Sequence, residues 1–159
     1  MHDGAGRTAL GERKVTHKGK TSFVATEANA RKGIGVIMAR LAAEGLPAET
    51  LGSVEIVLAE AVNNIVEHAY CGVAPGDVQV TYAVTPDALT MTFVDHGAAF
   101  PHGILPPGRP ADLSVSRESL PEGGFGWLLI RELTNDLTYD RHNGYNKLSV
   151  RFDLIGASR

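Results

Sequence analysis

A chain of 159 residues, 43% hydrophobic and 21% charged, has the size and composition of one soluble globular domain with a core of useful size. Its net charge of −3 and pI near 6.0 argue against a dedicated nucleic-acid binder, and no apolar run approaches the roughly 18 residues that crossing a bilayer takes. With the single cysteine Cys71 no intrachain disulfide forms, and the first fourteen residues lack an apolar signal core, so the expected setting is a reducing cytoplasm, without contact to membrane.

Segment 1–15 is rich in glycine and charge and reads as a mobile tail ahead of a single domain over 16–159. Residues 18–26 alternate around Phe23 and Val24 as a first strand. Asn29 is placed to cap a helix running to about Glu44, whose apolar positions Ile34, Ile37, Met38, Leu41 and Ala42 follow helical spacing. Gly45-Leu46-Pro47 ends it. A second helix covers roughly 48–70, with Val54, Val57, Leu58, Ala61, Ile65 and Ala69 as its buried stripe. After the breaks at Cys71-Gly72 and Pro75-Gly76, residues 78–84 alternate through Val78, Val80, Tyr82 and Val84. Residues 89–94 alternate again beyond a turn at Pro86-Asp87, which predicts a hairpin.

An irregular stretch then runs to Gly124 through Pro101, Pro106, Pro107, Pro110 and Pro121. A loop beyond about 15 residues in a small domain is usually functional or disordered. Residues 127–133 predict a short helix, and 137–141 and 148–154 predict strands joined at Asn143-Gly144. The order β-α-α-β-β-loop-α-β-β predicts an α+β, two-layer sandwich: a mixed, mostly antiparallel sheet with helices on one face.

Three polar motifs interrupt the apolar runs: Glu60-Ala-Val-Asn-Asn64-Ile-Val-Glu-His68, Asp95-His-Gly97-Ala-Ala-Phe100 and Gly123-Gly124-Phe-Gly126-Trp127. On a helix, Glu60, Asn64 and His68 advance about 40° each and form one polar stripe beside the apolar one. Two adjacent asparagines in mid-helix cost propensity. An asparagine carbonyl oxygen suits a magnesium ion, which takes few protein ligands beside substrate phosphates, and Glu60 is one turn away, where it can orient or deprotonate an attacking hydroxyl. Any such triplet alone is more often a solvated helix face. Asp95 ends an apolar strand, where a carboxylate can accept a hydrogen bond from an adenine amine, and Gly97 lets the backbone approach a base closely. Alone, Asp-His-Gly is more often an ordinary turn. Gly124 and Gly126 lie ahead of the helix at Trp127, where backbone N–H groups favour anions, although glycine-rich turns are common. The dinucleotide fingerprint fails, with Leu129 at its last place, and the phosphate loop Gly-x-x-x-x-Gly-Lys-Ser/Thr is also absent. Taken together, the three motifs in this order point to a nucleotide site.

At these residues the chain resembles the GHKL, or Bergerat-fold, ATP-binding family, which includes histidine kinase catalytic domains, type II topoisomerases and MutL-type proteins. Within it, Glu60-Ala61-Val62-x-Asn64, Asp95-x-Gly97-x-x-Phe100 and Gly144-x-Asn146-x-Leu148 resemble the anti-sigma factor serine/threonine kinases. The resemblance covers about residues 16–154 and implies ATP and Mg2+. It implies Glu60 as general base and Asn64 as magnesium ligand. It implies Asp95 and Gly97 at the adenine, and counts Phe100 and Trp127 among the residues that bind the cofactor. Gly124 and Gly126 would form the phosphate edge, His68 would reach the lid or phosphates, and residues 101–122 would form the lid. Two residues depart from the pattern: Pro101 follows Phe100 directly, and Trp127 is bulky. The implied partners are a STAS-type anti-sigma factor antagonist, which is phosphorylated, and a sigma factor; a homodimer is compatible with this. The alternatives are an ATP-dependent partner-switch module without kinase activity and a detached histidine kinase catalytic domain.

Overall fold

The computed structural model describes residues 14–106 and 124–154. Of the tail expected at 1–15 and the lid expected at 101–122, residues 1–13 and 107–122 lie outside the described residues. The elements are β1 His17–Val24, α1 Glu27–Ala43, α2 Ala48–Asn64, β2 Asp77–Val84, β3 Ala88–Asp95, α3 Gly124–Leu133, β4 Asp136–His142 and β5 Tyr145–Asp153. A π-helical turn, Ile65–Ala69, continues α2, and a 3-10 turn, Pro101–Gly103, follows β3. The sheet order is β1-β2-β3-β5-β4. All four pairings are antiparallel, so no parallel pair of the mixed sheet that the sequence allowed occurs among the described residues. The tight β2–β3 and β4–β5 hairpins permit no other direction.

The helix starts and stops follow from local chemistry. Thr26, not Asn29, caps α1: its Oγ1 accepts from the Asn29 N–H at 3.2 Å, and Glu27 sits in the first turn. Gly45, with φ of 78°, supplies the left-handed residue beyond α1. Pro47 precedes α2, which buries Val54, Val57, Leu58, Ala61 and Val62.

The strands bury alternate residues against the helices. On that face β2 places Val78, Val80, Tyr82 and Val84, β3 places Leu89, Met91 and Phe93, and β5 places Leu148, Val150 and Phe152. Registered pairs such as Met91↔Val150 and Phe93↔Leu148 run these residues into continuous apolar rows. A slip of one residue would turn every one of them to the opposite face, so burial holds the register. Ile37 and Leu41 of α1 and Trp127 and Ile130 of α3 complete the core. The apolar rows end at a polar pair, Asp95↔Asn146, with each residue 4% exposed.

Two glycines of α1 make a test of how this helix sits on the sheet. A Cβ at Gly33 would lie 2.5 Å from the Phe23 ring of β1, whereas one at Gly35 would meet nothing within 4 Å. Alanine gains about 0.5–1 kcal/mol over glycine in a helix interior, and overpacking costs about 1–3 kcal/mol. Urea unfolding is expected to find Gly35→Ala more stable than the wild type and Gly33→Ala less stable. Equal midpoints for the two variants would contradict the α1–β1 packing described.

Candidate functional site

The polar stripe of α2 does not continue as a regular helix. Beyond Asn64 the chain widens into the π-helical turn, closed by a long Tyr70 N–H to Ile65 carbonyl bond of 3.4 Å. Such turns are frequent at functional sites. The Ala69 carbonyl at its end accepts from the Ala98 N–H at 2.7 Å. An added Cβ at Gly97 would come within 2.4 Å of that same carbonyl oxygen. The close approach that Gly97 permits is therefore to the helix backbone, and it seats the loop after β3 against the end of α2. Tyr70 supports the same junction: its hydroxyl accepts from the His96 N–H and donates to the Asp77 carbonyl, both at 2.9 Å. Burial pushes the Tyr70 phenol above its ordinary pKa; the His96 N–H works against that push, and the charges of Asp95 and Asp77 add to it. The hydroxyl thus keeps the proton it donates.

Asp95 Oδ1 accepts from the Gly97 N–H and from Asn146 Nδ2, each at 2.9 Å. Asn146 Nδ2 also donates to the Ala98 carbonyl at 3.0 Å. Asn146 Oδ1 accepts from the Tyr139 hydroxyl at 2.6 Å and from Arg141 Nη1 at 3.0 Å. Arg141 Nη1 reaches the Gly97 carbonyl as well, at 2.6 Å. The Tyr139 hydroxyl accepts from the Phe100 N–H at 3.2 Å. The Phe100 ring meets Trp127 and Tyr139 edge-on, with centroids 5.3 and 5.1 Å away.

These groups surround a cavity of about 190 Å³ lined by Asn64, His68, Asp95, Phe100, Trp127 and Asn146 among others. Drug-sized ligand pockets run to roughly 300–1,000 Å³, so this space suits a single base rather than a whole nucleotide. Five of the residues singled out in the sequence thus line one cavity. Glu60 and Gly126 adjoin it: a Cβ at Gly126 would lie 2.6 Å from Glu60 Oε2 and 3.9 Å from Asn64 Nδ2. Gly124 and Gly126 sit inside the first turn of α3 rather than ahead of it. The first turn tolerates glycine, and its N–H groups lack intrahelical acceptors. Here Gly126 brings α3 against the far end of the Glu60 side chain of α2.

Asn64 Nδ2 is buried and has no hydrogen-bond partner among the described residues. The two ends of an amide are assigned from their surroundings. As placed, this one offers a donor; turned over, it would offer Oδ1 instead. Among the described residues no group of three or more His, Cys, Asp or Glu side chains could hold a metal, and some ions take few protein ligands. A magnesium ion beside phosphates is of that kind.

Sequence reasoning missed Tyr70, Tyr139 and Arg141 as parts of the site. One signal was available for the shared partner of Tyr139 and Arg141. Asn146 shares the phase of Leu148, Val150 and Phe152 and is the polar residue in that apolar series.

Residues 23–152 match the family model described as histidine kinase-like ATPase domain, and the chain belongs to that family. It is 28% identical over 109 residues to a serine-protein kinase RsbW of Bacillus cereus, covering 68% of each chain. It is 32% identical over 93 residues to the serine/threonine-protein kinase BtrW of Bordetella bronchiseptica, covering 57% of this chain and 62% of that one. Among solved structures it is similar to the RsbU and RsbW domains of a Mycobacterium tuberculosis protein, with a TM-score of 0.62 at 18% identity. That match covers 87% of this chain but 33% of the other. It is also similar to a histidine kinase domain from Erythrobacter litoralis, with a TM-score of 0.54 at 18% identity, covering 82% of this chain and 64% of that one. These two likenesses establish the α+β fold. No helix among the described residues is long and apolar enough to cross a membrane.

The two site glycines should respond differently to alanine. At Gly97 the added methyl meets backbone, which cannot move aside cheaply; at Gly126 it meets the far end of a glutamate side chain. Gly97→Ala is expected to lose about 1–3 kcal/mol of stability, while Gly126→Ala stays within about 1 kcal/mol of the wild type. Denaturant unfolding checks both, and an unchanged Gly97→Ala would contradict the docking of the loop on α2.

Proposed function

We propose that this chain is a single ATP-binding domain that uses Mg-ATP to phosphorylate a serine or threonine of a STAS-type anti-sigma factor antagonist, and so controls a sigma factor by partner switching in the cytoplasm. One observation carries the reading: a single base-sized cavity has a hydrogen-bonded carboxylate, Asp95, in its wall and, at another part of its lining beside Glu60, Asn64, whose buried Nδ2 has no partner among the described residues. Family membership supports ATP as the nucleotide. The names of the Bacillus and Bordetella relatives support serine or threonine as the acceptor.

In this reading Asp95 accepts from the adenine amine, and Phe100 and Trp127 supply the apolar walls. The backbone N–H groups of Gly124 and Gly126, in the first turn of α3, face the phosphates. His68 is half-exposed on the cavity lining and completes the phosphate side. Asn64 would hold the magnesium ion, which neutralises charge on the phosphates when bound. Glu60 takes the proton of the attacking hydroxyl. Binding alone does not require that base, which favours the kinase over a partner switch without catalysis.

Separate variants test the separate roles. Asp95→Asn is expected to weaken ATP binding roughly tenfold to a hundredfold, the loss of a hydrogen bond to a charged group of about 1.5–3 kcal/mol. Unchanged affinity by calorimetry would remove Asp95 from the adenine. Glu60→Gln keeps the shape and removes the charge, so ATP affinity should stay near normal. Single-turnover transfer to the antagonist should fall by roughly 10²–10⁴; transfer at the wild-type rate would mean that Glu60 is not the base. Acid-stable phosphate on the partner is the expected product. Acid-labile phosphate would favour the histidine kinase reading, and ATP binding without any transfer would favour the partner switch.

A further inference from the structure

Resting on the nucleotide reading above, we propose that Tyr139 and Arg141 are positioning residues for purine specificity: they lock the Asn146 amide in one orientation, which leaves Asp95 as an acceptor for a base bearing a 6-amino group.

The sheet register creates the arrangement. Asp95 pairs with Asn146 across β3 and β5, and Asn146 pairs with Arg141 across β5 and β4. Paired residues share a face, so an aspartate, an asparagine and an arginine form one row on the helix-facing side, at the end of the apolar rows. Tyr139 lies two residues before Arg141 and points to the same side.

An asparagine amide has one accepting end and one donating end of nearly equal shape. Here both ends are committed. Tyr139 and Arg141 converge as donors on Oδ1, and the Asp95 carboxylate and Ala98 carbonyl accept from Nδ2. A reversed amide would set oxygen against oxygen at Asp95 and amine against guanidinium at Arg141. Asp95 Oδ1 is in turn occupied by two donors, Gly97 N–H and Asn146 Nδ2. Among the described residues none donates to Oδ2. Asp95 lines the cavity, so the base meets an acceptor with no donor beside it. Adenine satisfies that acceptor with its 6-amino group. A 6-oxo purine would set its oxygen against the carboxylate and leave both unpaired, which costs far more than a missing contact. Without Tyr139 and Arg141 the Oδ1 end is released and only Asp95 and Ala98 hold the amide, so the side chain can swing and bring a donor to the cavity, where a 6-oxo group finds a partner.

Arg141 also has a blander explanation. An inward-pointing charge on an edge strand discourages pairing with another chain, and that role would not distinguish one purine from another.

Inosine triphosphate is the probe, because it differs from ATP by oxygen in place of the 6-amino group. Calorimetry on the full chain would compare the two nucleotides for the wild type, Tyr139→Phe, Arg141→Met and the double variant. The wild type is expected to prefer ATP by about a hundredfold or more. Each single variant should weaken ATP about tenfold and inosine triphosphate little, narrowing the ratio about tenfold. The double variant should narrow it at least as far. Tyr139→Phe keeps the ring contact with Phe100 and serves if Arg141→Met fails to fold. An unchanged ratio, or equal weakening of both nucleotides, overturns the proposal while leaving the ATP site in place. A wild type that binds neither nucleotide overturns the ATP reading itself, and this proposal with it.

Discussion

A buried carboxylate is costly unless hydrogen bonds replace the water it has lost, and the way Asp95 meets that requirement organises much of this molecule. One donor comes from Gly97, two residues along the chain, and the other from Asn146, across the sheet. The first requires the chain after β3 to turn back tightly, and it can do so against α2 because Gly97 has no Cβ to strike the Ala69 carbonyl. The second requires the β3–β5 register to set Asn146 opposite Asp95. That register is held by the apolar rows Leu89↔Phe152, Met91↔Val150 and Phe93↔Leu148, which lie further along the same two strands. Hydrophobic burial in the core thus fixes, to the residue, which polar groups meet at the edge of the cavity.

The parts of the fold with strong periodicity were legible in the sequence. The predicted strands at 78–84 and 89–94 fall within a residue of β2 and β3, because alternation of apolar side chains is the direct signature of a sheet covered on one face. Where alternation fades the reading falls short. β5 begins at Tyr145, three residues before the predicted start, since Tyr145, Asn146 and Lys147 carry no apolar pattern and owe their strand to pairing with β3 and β4. The second helix was predicted through to about residue 70 as one regular helix. The π-helical turn within it has no local sequence signal, because tertiary contacts at Ala69 and Tyr70 set it.

The site divides in the same way. Asn64 and Asp95 stood out because each sits oddly in its surroundings: asparagine in mid-helix, and a carboxylate at the end of an apolar strand. Such violations are expected where function outweighs stability. Tyr139 and Arg141 violate nothing. On an edge strand of mixed polarity an arginine reads as wholly solvent-facing, and only the pairing with β5 reveals that both residues lie on the face of Asn146. A single sequence therefore exposes residues that break a pattern and conceals those that act through a partner on another strand.

The two parts of the cavity differ in how completely they are built. On the strand side, Asn146 makes bonds from both ends of its amide, and Asp95 Oδ1, Tyr139, Arg141 and Gly97 are all engaged. A satisfied polar network of this kind is rigid, and its geometry does not wait for a ligand. On the helix side, Asn64 Nδ2 is buried with no partner among the described residues, and Glu60 lies where α3 passes α2 at Gly126. An unmet donor costs free energy until something meets it. Under the proposed reading this asymmetry follows from the task. Recognition of a base needs the same acceptor at every encounter, so it is built into the sheet, whose register the core enforces. Phosphate and metal complete the helix side only while they are bound, so the cost of the unmet amide there is relieved by the ligand rather than by the protein.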